Sequence, residues 1–163
     1  PAQTLLYLVA AAEAYEKKYP DADGVETIMG KSMSGTDIGS FLSWPHTNIC
    51  SDGANGGHPR GYGTFTRVLS YYVRDKNIMS LENAIYKMTA LTAEQVGIKN
   101  RGIIAAGYHA DLVLLDPEKI KDNATIQNPK ALSDGILQVW VNGVPVYKDK
   151  KSTKQFPGTF LSR

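Results

Sequence analysis

Asn48-Ile49-Cys50-Ser51-Asp52-Gly53, followed by His58-Pro59-Arg60-Gly61-Tyr62-Gly63, is the stretch that decides how this chain folds. An apolar run leads into one carboxylate, and that carboxylate opens a glycine-rich loop closing on His-Pro-Arg. Residues 47–50 have the character of a short buried strand, which puts Asp52 at its carboxyl end. Loops at that end of an α/β fold carry chemistry because a rigid base holds them. Local evidence leaves two roles open for Asp52: binding a turn amide or helix end, or acting on a substrate. Arg60 also has two. Its planar fork of donors suits a carboxylate, or it closes the loop onto backbone carbonyls.

Upstream, Leu5, Leu8, Val9 and Ala12 recur at helical spacing, and Pro20 with Asp21-Ala22-Asp23-Gly24 stops that helix. Residues 25–29 form a short apolar run suited to a strand. Ser34-Gly35-Thr36-Asp37 opens a second helix with Ile38, Phe41 and Leu42 on one face, ended by Trp44-Pro45. Helix, strand, helix, strand with short connections is the grammar of a parallel α/β unit.

Downstream, Phe65, Val68, Leu69, Tyr72 and Val73 form a helical stripe. A further helix opens at Ser80 as N-cap, with Leu81, Ala84, Ile85 and Met88 on one face. A third is expected from Thr92, where Thr92-Ala93-Glu94-Gln95 reads as a capping box. All three stripes are expected in the core. Beyond Gly97 the pattern becomes β: residues 102–107 and 110–116 read as strands joined by a turn. Leu137, Val139 and Val141 alternate with polar or bulky neighbours, and Asn142-Gly143 supplies a two-residue hairpin turn into 144–147. Residues 121–134 are polar and irregular. So few hairpin strands are not stable alone, so this tail completes a larger sheet.

Size and charge exclude several classes. A chain of 163 residues, 42% hydrophobic and 21% charged, is that of an ordinary soluble domain. Its 18 Lys and Arg against 16 Asp and Glu leave a net charge of +2, too balanced for a nucleic-acid or anionic-membrane partner. The basic cluster Lys148-Asp149-Lys150-Lys151 is interrupted by an acid. The single Cys excludes an internal disulfide and an all-cysteine metal site. No apolar run reaches the length of a membrane span, and the apolar stretch Leu5 to Ala12, lacking a basic n-region, does not read as a secretory signal. These features lead to the expectation of a cytoplasmic protein.

The three His residues form no His-x-His or His-x-x-x-His pair, so no metal site follows from local spacing. His46 is expected at the opposite end of the strand from Asp52, and His109 in a solvent-facing turn. His58 is the one His in the glycine-rich loop and a candidate substrate contact. Cys50 is expected as a small buried residue. There is no nucleophile elbow, no phosphate-binding loop and no dinucleotide fingerprint.

Taken together, Ser51-Asp52-Gly53, His58-Pro59-Arg60-Gly61-Tyr62-Gly63-Thr64-Phe65 and Arg67-Val68-Leu69 resemble the D-aminoacylase (N-acyl-D-amino-acid deacylase) branch of the amidohydrolase superfamily. The resemblance continues through Ser80-Leu81-Glu82-Asn83-Ala84 and Lys87-Met88-Thr89. It runs on through Arg101-Gly102-Ile103-Ile104-Ala105-Ala106-Gly107-Tyr108-His109-Ala110-Asp111-Leu112-Val113 and closes with Val141-Asn142-Gly143-Val144-Pro145-Val146. It implies an α/β chain forming the C-terminal part of a metal-dependent (β/α)8 TIM barrel, with its last two strands and helices, plus strands of a small β-sandwich. Residues 1–98 would belong to the barrel and 99–163 to the sandwich.

On that template Asp52 matches the Asp of the last barrel strand, which contacts the metal centre and serves as general base and acid. Arg60 matches the His-Pro-Arg arginine that holds the carboxylate of an N-acyl-D-amino acid, with His58 beside it. The implied cofactor is zinc, one or two divalent metals in the whole enzyme. The other metal ligands of the family come from earlier strands and have no counterpart here. The chain is therefore expected to be a C-terminal fragment, inactive alone, and Pro1 at a helix start fits that. Two alternatives accompany this expectation. One is an amidohydrolase acting on another linear or cyclic amide, such as a dipeptidase or a dihydroorotase-like enzyme. The other is a non-catalytic association module whose exposed strand edges pair with a second copy.

Overall fold

The computed structural model of the protein describes residues 2–20, 33–53 and 58–161. The chain divides into two compact units, Pro1–Ser34 and Gly35–Arg163. The first contains helix α1 (Ala2–Lys18), which carries Lys17 and Lys18 in its last turn, where the negative end of the helix dipole favours them. The strand expected at 25–29 lies outside the described residues.

The second unit begins with α2 (Gly35–Ser43) and continues through α3 (Arg60–Arg67), α4 (Leu81–Met88) and α5 (Ala90–Val96). α3 runs without a break into a π-helical stretch, Val68–Asp75, so the two form one rod. A four-stranded antiparallel sheet follows in the order β1 (Leu112–Leu115), β2 (Ile136–Val141), β3 (Val144–Lys148) and β4 (Lys151–Ser152).

Local chemistry accounts for several of these elements. Ser80 caps α4, its hydroxyl accepting the Asn83 amide at 3.2 Å. Gly97 ends α5 in the left-handed conformation at φ 81°. Asn142 and Gly143 both take positive φ (48° and 80°), as the tight turn between β2 and β3 requires. Gly135 is obligatory: at φ 82° a Cβ there would lie 2.5 Å from the Ile120 backbone.

Four expectations are corrected. Residues 47–50 form no strand among the described residues; the Ile49 amide donates to the Lys87 carbonyl at 3.3 Å instead. Residues 102–107 form turns, because Gly102 and Gly107 take φ of 87° and 84° and break the apolar run. The third helix starts at Ala90, not Thr92, whose hydroxyl donates back to the Lys87 carbonyl at 2.8 Å. Cys50 is exposed, while the neighbouring Ile49 is the residue of this segment that enters the core.

The core consists of Leu42, Ile49, Val68, Leu69, Met79, Ala84 and Ile120, with Leu115 and Ile136 of the sheet packed against it. Of the expected stripes, Val68, Leu69 and Ala84 are buried, whereas Phe65 is 43% exposed. Ile49 belongs to this core three residues before Asp52. The core therefore anchors the chain that delivers the carboxylate.

Candidate active site

Asp52 and Arg60 come together. Arg60 Nη2 lies 2.7 Å from Asp52 Oδ2, and Arg60 Nε donates to the Asp52 backbone carbonyl at 3.3 Å. The Arg60 amide donates to His58 Nδ1 at 3.1 Å, so that nitrogen acts as acceptor at the start of α3. Pro59 precedes the helix with φ −53°, and its carbonyl accepts the Gly63 amide at 2.9 Å. The two halves of the stretch meet closely: a Cβ on Gly53 would stand 3.3 Å from the Gly61 Cα. Asp52 itself takes φ 46°, a left-handed conformation that Asp adopts more readily than most residues.

Of the two roles open to Arg60 in the sequence, the geometry shows the loop-closing one. It closes the loop onto a carbonyl and it faces a carboxylate, that of Asp52. The site is open, with the Arg60 side chain 49% and the Asp52 side chain 71% exposed. His46 and His109 are exposed.

Several residues that hold the site in place were not singled out in the sequence. Lys87 is fully buried, and its Nζ donates to the carbonyls of Leu42 and Trp44, each at 2.5 Å. Burial holds its amine below the ordinary range. Gln95 donates to the His46 carbonyl at 3.0 Å and accepts from Asn48 Nδ2 at 2.6 Å. On the other side of α3, Asp122 sits against Gly63, where a side chain would overlap its carboxylate, and lies 3.7 Å from Arg67. Thr66 and Ser133 share a hydrogen bond at 2.7 Å, which fastens the same helix to the 120–134 segment.

The run from Arg101 to Val113 has a structural use. Arg101 pairs with Asp111 and donates to Asn142 Oδ1 at 2.8 Å, while the Asn142 amide donates to Asp111 Oδ1 at 2.8 Å. Burial works to raise the Asp111 carboxyl, but the Asn142 amide and the Arg101 guanidinium outweigh it and hold it below the usual range.

A metal ion requires several ligands on one point. Among the described residues no three His, Cys, Asp or Glu side chains converge in that way. His58 Nδ1 is taken by an amide and Asp52 by a guanidinium. The described residues thus supply one candidate ligand, Asp52, and do not make a metal site by themselves.

The sequence pattern of the amidohydrolase family matches residues 10–147. The chain belongs to the amidohydrolase family. This amidohydrolase chain is 44% identical over 133 residues to an N-acyl-D-aspartate deacylase of Alcaligenes xylosoxydans xylosoxydans, covering 80% of the chain and 27% of that protein. Among solved structures it matches a D-aminoacylase with a binuclear metal centre at a TM-score of 0.73 and 43% identity, covering 76% of this chain and 27% of the other. It also matches the N-acyl-D-glutamate deacylase of Bordetella bronchiseptica at 0.69 and 38% identity, covering 73% and 26%. That enzyme was solved with zinc and a phosphonate mimic of the tetrahedral intermediate. The chain spans just over a quarter of the length of these relatives. Among the described residues no helix is long and apolar enough to cross a membrane.

Proposed function

We propose that this chain is the C-terminal part of a metal-dependent hydrolase that cleaves the amide bond of N-acyl-D-amino acids. Residues 1–98 contribute to its (β/α)8 barrel and 99–163 to its small β-sandwich. The observation that carries this is the pairing of Asp52 with Arg60 at 2.7 Å, inside the region that matches the family. One general base and one carboxylate-recognising cation on one loop suit an anionic amide substrate.

In this reading Asp52 takes a proton from the attacking water as its oxygen bonds to the amide carbon. It then delivers that proton to the nitrogen as the C–N bond breaks, leaving a carboxylate and a D-amino acid. Arg60 holds the substrate's carboxylate through charge-assisted hydrogen bonds, and His58 fixes the start of the helix that carries Arg60. Asp52 is also the ligand this chain would offer to a divalent metal, zinc among them, whose remaining ligands lie elsewhere in the enzyme; a bound metal would supply Lewis acidity.

Steady-state hydrolysis of N-acetyl-D-amino acids by the complete enzyme tests this. Asp52→Asn should lower kcat by about a thousandfold. Activity equal to the wild type in that variant would remove Asp52 from the chemistry. The 163-residue chain alone should give no turnover with added zinc.

A further inference from the structure

Among the described residues, Lys87 is the buried charge that this chemistry does not use. A methionine or leucine would fill its place on α4 without the cost of desolvating an ammonium group. What the amine does there is grip backbone. Its two acceptors, the Leu42 and Trp44 carbonyls, lie at the C-terminal end of α2. A helix leaves its last carbonyls without partners there and presents the negative end of its dipole. The Trp44 carbonyl also accepts the Thr47 amide at 3.2 Å, which turns the chain toward Ile49.

The same residue then takes hold of the segment a second time. The Lys87 backbone carbonyl accepts the Ile49 amide at 3.3 Å, and the Thr92 hydroxyl holds that carbonyl at 2.8 Å. Lys87 therefore fixes the chain at 42, 44 and 49. From Ile49, whose side chain is in the core, only Cys50 and Ser51 intervene before Asp52, a reach of about 10 Å at most. Asp52 is thus held from one side by the exposed Arg60 and from behind through this segment.

We infer that Lys87 is a positioning residue for Asp52, clamping residues 42–49 from α4 so that the carboxylate stands where the reaction needs it. Its effect on turnover rests on the deacylase reading; its grip on the segment does not. Gln95 adds a weaker, exposed hold on His46 and Asn48.

The test uses the complete enzyme with Lys87→Met, which keeps the bulk and removes the donors, and Lys87→Gln, which keeps a shorter neutral donor. Hydrogen exchange and kinetics with an N-acyl-D-amino acid are read on both. In the Met variant, exchange across 47–52 should quicken about tenfold while α4 keeps its protection. Its kcat should fall about ten- to hundredfold with KM within about twofold, the signature of a misplaced group rather than lost binding. The Gln variant should lie between Met and wild type, and it carries both measurements if the Met variant does not fold. Wild-type exchange or wild-type kcat in either folded variant overturns the inference. If the wild-type enzyme proves inactive on N-acyl-D-amino acids, the deacylase reading fails and exchange alone decides the role of Lys87.

Discussion

Two of the Arg–Asp pairs among the described residues, Arg101 with Asp111 and Arg60 with Asp52, behave differently. Arg101 and Asp111 meet with the guanidinium side chain only 12% exposed, and Asn142 joins them with an acceptor for the arginine and a donor for the aspartate. Arg60 and Asp52 meet with 49% and 71% of their side chains exposed, on a backbone that takes φ 46° at the aspartate. In the first pair each partner has further hydrogen bonds that tie a loop to a hairpin turn. In the second, the remaining faces of both groups look outward. The same two residue types thus form a shielded lock in one place and an exposed pair in the other, which the proposed function uses as acid–base and cation. Shielding and the presence of a third partner separate the roles, not the pairing itself.

The lock should yield the largest change in stability. Arg101→Ala leaves the Asp111 carboxylate with only the Asn142 amide, and the Asn142 side-chain oxygen without its donor, in a half-buried setting. Loss of about 2–3 kcal/mol is expected in urea or thermal unfolding. A loss no greater than that of an exposed pair would erase the distinction drawn between the two sites.

Acid sharpens the same comparison. The Asp111 carboxyl is held below its ordinary value in the fold, so below that value the unfolded chain binds a proton that the native one does not. Its contribution is complete above the ordinary carboxylate value of 3.8 and is lost as pH falls through it toward the folded value. Asp111→Asn should therefore flatten the fall in Tm between about pH 5 and about pH 2. An acid limb as steep as the wild type's would mean that the lock draws nothing from this carboxylate.

What could be read in the sequence follows the range of the interactions. Ser80, Asn142 and Gly143 were legible because a cap and a two-residue turn are decided by residues adjacent in the chain. The Asp52 and Arg60 stretch was legible as a loop with two candidate roles for each residue, and the family resemblance chose between them. Residues 47–50 were misjudged because being a strand depends on a partner, which composition does not reveal. Residues 102–107 were misjudged because two glycines at positive φ outweighed the β-branched run between them, leaving Ile104 92% exposed. Lys87 did leave a signal. It falls three residues after the buried Ala84 and next to Met88, a cation on the apolar face of a helix, and such a position calls for a polar partner across the core.

Arg60→Ala should produce the smallest change in stability. An exposed ion pair offsets its Coulomb gain with side-chain entropy and screening, and its typical worth is about 0–1 kcal/mol. The variant should unfold within about 0.5 kcal/mol of the wild type, and the difference should shrink further in high salt. The same change should raise KM for an N-acyl-D-amino acid by about ten- to hundredfold, because a charged hydrogen-bond partner of the substrate is lost. The two readouts have to separate. A variant that loses several kcal/mol makes Arg60 a second lock, comparable to Arg101, whose main partner is the loop. A variant with unchanged stability and unchanged KM leaves the Asp52 pairing as a surface contact, and the carboxylate of the substrate must then be held by another part of the enzyme.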